Sequence, residues 1–363
     1  MIGKSFWMAL GFLLAELHAG RAQQKVENLI IVTTDGLRWQ EVFNGMDSAI
    51  AHKAQFNQGD SAYIFGRYWS DDVAARRKKL FPFLWSVFAA NGQLFGNVAL
   101  GSEVSVANGY HFSYPGYNEI FTGYPDTAIN TNAFRDNPNV NVLEYIQRAP
   151  GFKDKVAAFG SWEAYHRILN SRRCGFPVVA AFDTIPWKNP TSRERLIDAM
   201  KQASYKPEGE EGCMDVFTHF SAMEYLRTRR PRVLYVAYLE TDEWAHQKMY
   251  RNYLDAAHHV DEWLRQFWEF LRADPQYRNN TVLWVTTDHG RGDRNKEKWT
   301  SHGGITEASQ IWFGVMGPGL PARGEVRSSA LIWQKQFAQT FAGLLGLVFT
   351  ADHPVAEAIR QIW

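Results

Sequence analysis

Cysteine is almost missing from this chain: among 363 residues there are two, Cys174 and Cys213. A zinc site built on thiolates needs more cysteines at closer spacing, so any metal here must be held by Asp and His. In an exported chain an even count permits one disulfide, between Cys174 and Cys213. A surplus of charge is missing too. Lys and Arg total 39 against 38 Asp and Glu, a formal net charge of +1, which gives no electrostatic footprint for nucleic acid or an anionic membrane. Long apolar runs are confined to residues 6–15, too short to cross a bilayer. Lys4 precedes that run and the small residues of Gly20-Arg21-Ala22 follow it, so residues 1–22 read as a secretory signal peptide. This implies a secreted or periplasmic mature chain, 23–363, with no membrane span. Loss of Lys4, Glu16 and Arg21 with the leader takes the formal charge from +1 to 0. No internal repeat or low-complexity tract is present.

What is abundant is apolar and aromatic side chain, 45% and 15% of residues, enough for a large core in one domain. Short apolar runs at 29–32, 155–159, 233–239, 281–287 and 310–315 read as buried strands. Between them, residues 80–90, 142–148, 192–203, 216–229, 250–271 and 331–345 carry apolar recurrence near the helical period. The alternation predicts an α/β fold, a mostly parallel central sheet with helices on both faces. Residues 44–111 break the rhythm and read in part as a surface insertion near the mouth of the site. Within it, Arg76-Arg77-Lys78-Lys79 is a solvated helix face.

Three of the strands deliver metal-ligating residues at their carboxyl ends, where open α/β sheets gather ligands. Leu29-Ile30-Ile31-Val32 leads through Thr33-Thr34 into Asp35-Gly36. The 281–287 run ends in Asp288-His289 and opens into Gly290-Arg291-Gly292. The 233–239 run enters Glu240-Thr241-Asp242, with His246 four residues beyond Asp242, a spacing that can aim two ligands at one ion. A single Asp after a strand is more often a helix cap or turn residue; three such ends make a pattern. Between the first and third strands, Ser113-Tyr114-Pro115-Gly116 opens a short helix that ends at Thr122-Gly123. Ser113 then sits where unpaired N–H groups and the helix dipole favour an oxyanion or a serine alkoxide, or simply serves as a cap.

In this order, Asp35, Ser113, Asp242, His246, Asp288 and His289 resemble the alkaline phosphatase superfamily, and most closely its nucleotide pyrophosphatase/phosphodiesterase branch. The shared pieces are Ser113 before an aromatic residue and Pro115, the helix ending in Thr122-Gly123, Asp242 to His246, and Asp288-His289-Gly290. His302, in Thr300-Ser301-His302-Gly303-Gly304, matches the family's last ligand. The resemblance covers residues 26–319. It implies two divalent ions, zinc by ligand type with manganese compatible: one held by Asp35, Ser113, Asp288 and His289, the other by Asp242, His246 and His302. Such a pair, typically about 4 Å apart, clamps an in-line displacement at phosphorus with Ser113 as nucleophile.

The resemblance further implies a small-molecule phosphate ester as substrate, with phosphodiesters favoured over monoesters and a phosphoserine intermediate. Asn132 best matches the family's phosphate-binding Asn, with Asn130 second. Tyr114 matches a substrate-stacking position and equally suits helix packing. A sulfatase would need a Cys or Ser in a Pro-x-Arg context, whereas Ser113 precedes Tyr-Pro-Gly. The competing readings are a phosphomonoesterase, a phosphotransferase to an alcohol, and a catalytically silent binding protein of the same fold. Arg38 could reach substrate oxygens or pair with a carboxylate. His258 and His259, adjacent in a helix, cannot share a face; His52, His111, His166, His219 and His353 lack partners at ligand spacing.

Overall fold

The computed structural model describes residues 26–206 and 209–363, so the leader read at residues 1–22 lies outside the described residues. Strands β1 (Asn28–Thr34), β6 (Val233–Tyr238) and β7 (Thr281–Thr287) are buried along their whole length. That burial explains their near-continuous apolar composition. They form the centre of an eight-stranded sheet with β2 (Gly92–Phe95), β4 (Val156–Gly160), β5 (Val178–Ala180), β8 (Phe313–Met316) and β9 (Gly324–Glu325), ordered β5-β4-β6-β1-β7-β8-β2-β9. Pairings are parallel except those made by β8, which runs against both β7 and β2. Short strands β3 (Val104–Ser105) and β10 (Ile332–Trp333) pair separately.

Side chains alternate between the two faces of the sheet, as strand geometry requires. Ile30, Val32, Leu234, Val236, Leu283 and Val285 enter one core, shared with the helices Asp215–Arg229 and Tyr250–Ala273. Leu29, Ile31, Val233, Tyr235, Val282 and Trp284 enter the other, shared with Ser113–Thr122, Val142–Arg148 and Phe337–Leu344. Trp284 anchors the second core, its ring stacked on Phe313 at 4.6 Å and met edge-on by Phe337 and Phe341. Among the described residues no helix is long and apolar enough to cross a membrane.

Several sequence expectations are corrected. The 44–111 stretch, read in part as an insertion, holds four short helices between Ser48 and Leu80 and then β2, which belongs to the central sheet. The helix expected at 80–90 is present from residue 82 to 91 after a break at Phe81, with a π-helical turn, Leu84–Phe88, inside it and its entry fixed by Asp261 accepting from the N–H groups of Phe83 and Leu84. The strand at 310–315 begins only at Phe313 and is antiparallel. The 331–345 pattern resolves into β10, a 3-10 turn and the helix Phe337–Leu344. Within the basic cluster, Arg76 lies over Trp69, and Arg77 covers Trp85 while pairing with Glu325 at 3.0 Å. Only Lys78 and Lys79 are exposed there. Both cysteines are free buried thiols, so the bridge between Cys174 and Cys213 is not formed.

Candidate metal centre and nucleophile

Sheet register places the ligands. Thr34 pairs with Tyr238 on one side and Thr287 on the other, so β1, β6 and β7 end level, and Asp35 and Asp288 are the next residues on neighbouring strands. The chain after β6 turns into the helix Glu240–His246, whose first turn carries Asp242 and whose last residue is His246. Thr241 ties that helix to β1 through hydrogen bonds to the Thr34 hydroxyl and the Asp35 carbonyl. The turn after β1 needs Gly36: its φ is +56°, and a Cβ there would sit 2.7 Å from Asp242 Oδ1 and 3.1 Å from His289 Cε1.

The resulting cluster runs from core to surface. His289 Nε2 lies 3.3 Å from Asp35 Oδ1, 3.5 Å from Asp288 Oδ2 and 3.9 Å from Asp242 Oδ1. His302 Nε2 is 3.7 Å from Asp242 Oδ1, and His246 Nε2 is 3.1 Å from Asp242 Oδ2 and 2.9 Å from His302 Nε2. The side chains of Asp35, Asp288 and His289 are fully buried, while His246 is 45% exposed, so the cluster opens to solvent at His246. Two ligand groups suited to a metal emerge, Asp35 with Asp288 and His289, and Asp242 with His289 and His302. His246 adjoins the second group through its contacts with Asp242 and His302.

The chemistry of these donors fits cations. Asp288 Oδ2 and His289 Nε2 are buried without a hydrogen-bond partner, a costly state unless another species satisfies them. His289 Nδ1 faces the Gly290 carbonyl at 2.9 Å and His302 Nδ1 faces the His111 carbonyl at 3.1 Å. A carbonyl accepts only from a protonated Nδ1, which leaves Nε2 as the lone-pair atom in both rings. Burial first and the charge of Asp242 second push the Asp35 carboxyl well above its ordinary range; burial and Asp35 do the same to Asp288. Burial would also raise Asp242, but Arg291, a hydrogen bond from His246 and the neighbouring imidazoles outweigh it and hold that carboxyl well below. Burial and the His289 ring hold the His302 imidazole down to about 2, neutral and ready to ligate.

Ser113 begins the helix Ser113–Thr122, and its Oγ is 3.4 Å from Asp35 Oδ1. The whole helix is buried, and Gly116 allows it to lie directly on the end of β7, where a Cβ would meet the Asp288 carbonyl oxygen at 2.6 Å. Asn132 Oδ1 accepts the Tyr114 N–H at 2.9 Å, which brings Asn132 to the helix N-terminus beside Ser113, whereas Asn130 is exposed. Tyr114 itself is fully buried, edge-on to Phe134, with its hydroxyl donating to the carbonyls of Arg135 and Arg167. Of its two sequence readings this geometry is the packing one. Arg38 is likewise committed inward: it is buried, paired with Glu41 through Nε at 2.8 Å, and bonded to the Gly292 carbonyl at 3.2 Å.

Three residues that organise the centre were not singled out from sequence. Tyr117 donates to Asp35 Oδ2 at 3.1 Å. Glu119, fully buried, accepts from the backbone N–H groups of Ala107, Asn108 and Lys335, pinning the approach to Ser113. Being the one charged residue of the Ser113–Thr122 helix was its only sequence signal. Arg291, 1% exposed, donates from Nη2 to Asp242 Oδ1 at 2.6 Å; its position right after Asp288-His289-Gly290 was visible, its partner was not. Of the remaining histidines, His219 is a core residue between the Tyr238 hydroxyl and Gln266, and His258 bonds the Leu80 carbonyl.

No protein-family model and no curated protein matches the sequence. Solved structures do match in fold. The alkaline phosphatase PafA aligns over 93% of this chain and 99% of its own at 10% identity, with a TM-score of 0.59. The phosphonate monoester hydrolase of Agrobacterium radiobacter aligns over 92% of this chain and 76% of its own at 14% identity, TM-score 0.57. The lipoteichoic acid synthase LtaP from Listeria monocytogenes covers 89% and 73% at 14% identity, TM-score 0.56. These likenesses do not single out the nucleotide pyrophosphatase/phosphodiesterase branch. Strand order, register and nearly full-length alignment together give this chain the fold of the alkaline phosphatase superfamily.

Proposed function

We propose that this chain is an exported two-metal phosphoric ester hydrolase that uses Ser113 as its nucleophile and prefers phosphodiesters. The observation that supports the reading is two ligand groups joined at His289, Asp35 with Asp288 and Asp242 with His302, with His246 against the second and Ser113 Oγ 3.4 Å from Asp35 Oδ1. Asp35, Ser113, Asp288 and His289 would hold the inner ion, and Asp242, His246 and His302 the outer one. Zinc suits this donor set and manganese is compatible with it. When bound, two such ions supply charge stabilisation to a phosphoryl group in flight.

The protein's own residues supply position. Asp35 and the helix N-terminus orient the Ser113 hydroxyl, and Asn132, whose Oδ1 is spent on Tyr114, has its amide free to donate to a phosphate oxygen. Ser113 Oγ forms the new bond to phosphorus as the bond to the leaving alcohol oxygen breaks, the serine proton departing with that alcohol; the phosphoserine formed from a diester keeps the second alcohol, and water then cleaves its bond to Ser113, restoring the hydroxyl and releasing a phosphomonoester. The diester preference rests on the motif resemblance, and the absence of a Pro-x-Arg context after Ser113 argues against sulfate esters. Among the structural neighbours, PafA is an alkaline phosphatase and the Agrobacterium radiobacter protein a phosphonate monoester hydrolase, while BT1596 is a 2-O GAG sulfatase, so the choice of phosphorus over sulfur rests on the motif.

A panel of chromogenic phosphodiester, phosphomonoester and sulfate ester substrates tests this, assayed on protein as isolated, after chelation, and after zinc is restored. Diester cleavage lost on chelation and recovered with zinc is the expected result. Cleavage of sulfate esters alone, or of nothing in the panel, would overturn it.

A further inference from the structure

Arg291 is buried beside the outer ligand group, and its Nη2 engages both Asp242 Oδ1, at 2.6 Å, and the Asp242 carbonyl, at 3.2 Å. Its Nε and Nη1 are buried with no hydrogen-bond partner, and Nε is 3.4 Å from where a Cβ of Gly36 would stand. The guanidinium is therefore buried beneath the Gly36 turn against Asp242. Arg291 is the arginine of the described cluster, ion-paired to Asp242 and near enough to Asp35 to act on its charge. We propose that Arg291 is a resident counter-ion of the metal centre, one that stabilises the metal-free protein and weakens the grip of Asp242 on the outer ion. This rests on the two-metal reading above.

The sign follows from simple electrostatics. A carboxylate or carbonyl behind a metal ligand raises that ligand's basicity, and loss of such a partner typically weakens binding about 10–100-fold. A cation in the same place withdraws electron density and repels the incoming ion, so its loss acts the other way. Arg291 also occupies Oδ1 of Asp242, the oxygen that faces His289 at 3.9 Å and His302 at 3.7 Å, and so competes with an ion for it. Mispositioning of Asp242 does not reverse the sign. Its backbone is fixed by the first turn of its helix, and that turn is tied to β1 through Thr241.

The test is a zinc titration by calorimetry into chelator-stripped wild-type, Arg291→Met and Arg291→Lys proteins, with thermal unfolding of each in chelator. Arg291→Met should bind the outer ion about tenfold more tightly and unfold at a lower temperature when metal-free. Arg291→Lys, which keeps the charge, should stay within about threefold of wild type. If Arg291→Met does not survive stripping, extraction of zinc from the loaded protein by a competing chelator ranks the variants instead. Unchanged or weaker outer binding in Arg291→Met, with two ions still bound by wild type, overturns the role of Arg291 alone. Wild-type protein that binds no zinc overturns the two-metal reading beneath it as well.

Discussion

At the scale of single residues, the candidate centre is defined by side chains whose uncommitted atoms face the cluster. His289 and His302 spend Nδ1 on carbonyls and keep Nε2 for the cluster, while Tyr117 and Ser113 both address Asp35. Removing the outermost ligand should therefore remove one ion and not both: His246→Ala is expected to lower metal content by about one ion per chain, measured by elemental analysis. Unchanged stoichiometry would take His246 out of the site. Residues outside the cluster obey a different logic. Glu41 neutralises a fully buried Arg38 and also receives the Tyr250 hydroxyl at 3.0 Å. Glu41→Leu leaves that guanidinium short of its main partner and should cost about 3–5 kcal/mol in denaturant unfolding; a loss under 1 kcal/mol would show that Asp293 and the Gly292 carbonyl suffice. That Asp35, Asp242, His246, Asp288 and His289 come together was legible in sequence because strands announce their own ends. Arg291 and Glu119 were not, because a buried charge is defined by the partner it meets across the fold.

At the scale of elements, register and close approach decide the geometry. The Ser113–Thr122 helix touches the end of β7 through Gly116, and Ala at that position tests which effect governs. Helix propensity alone favours Ala over Gly by about 1 kcal/mol, but the added methyl meets a backbone oxygen at 2.6 Å, and overpacking typically costs about 1–3 kcal/mol. Gly116→Ala should thus be destabilised and lose turnover as Ser113 shifts from Asp35; a stabilised, fully active variant would contradict the packing. Elsewhere, His219 joins three elements, accepting or donating at the Tyr238 hydroxyl and Gln266 and stacking on Trp263 at 5.0 Å. Burial lowers its imidazole to about 4. The unfolded chain takes up that proton near pH 6.5, so between about 6.5 and 4 it binds more protons than the folded one, and stability falls as pH falls. His219→Gln should remove up to about 1.4 kcal/mol per pH unit from that slope in urea unfolding; an unchanged slope would mean the proton is taken up elsewhere. The long central strands and the 250–271 helix were readable because their apolar patterns are long. Strands of two to four residues such as β2, β5 and β9 carry too little pattern, and nothing in the composition of β8 marks its reversed direction.

At the scale of the whole molecule, the sequence order of ligands and the alternation of strand and helix were enough to anticipate a mostly parallel α/β sheet with its site at the strand ends. The cysteine count was not enough to fix a bridge, because pairing depends on where two thiols are buried; Cys213 instead sits 3.5 Å from the Thr218 hydroxyl, and burial pushes it up to about 11. Export is proposed from residues 1–22 and predicts a mature N-terminus near Gln23 on protein recovered from its native compartment, where an intact Met1 would contradict it.

The central claim, covalent phosphoryl transfer through Ser113, meets its most direct test in an acid quench. Wild-type enzyme mixed with a rapidly leaving phosphoester and quenched within the first turnovers should carry the phosphoryl group on the peptide containing Ser113. Ser113→Ala should fold, since its hydroxyl makes only the 3.4 Å contact with Asp35 and a lost hydrogen bond costs about 1 kcal/mol, and should keep both ions through their other ligands while turnover drops by orders of magnitude. A variant that turns over near the wild-type rate, with no label on Ser113 in wild type, would contradict the account and assign the attack to water.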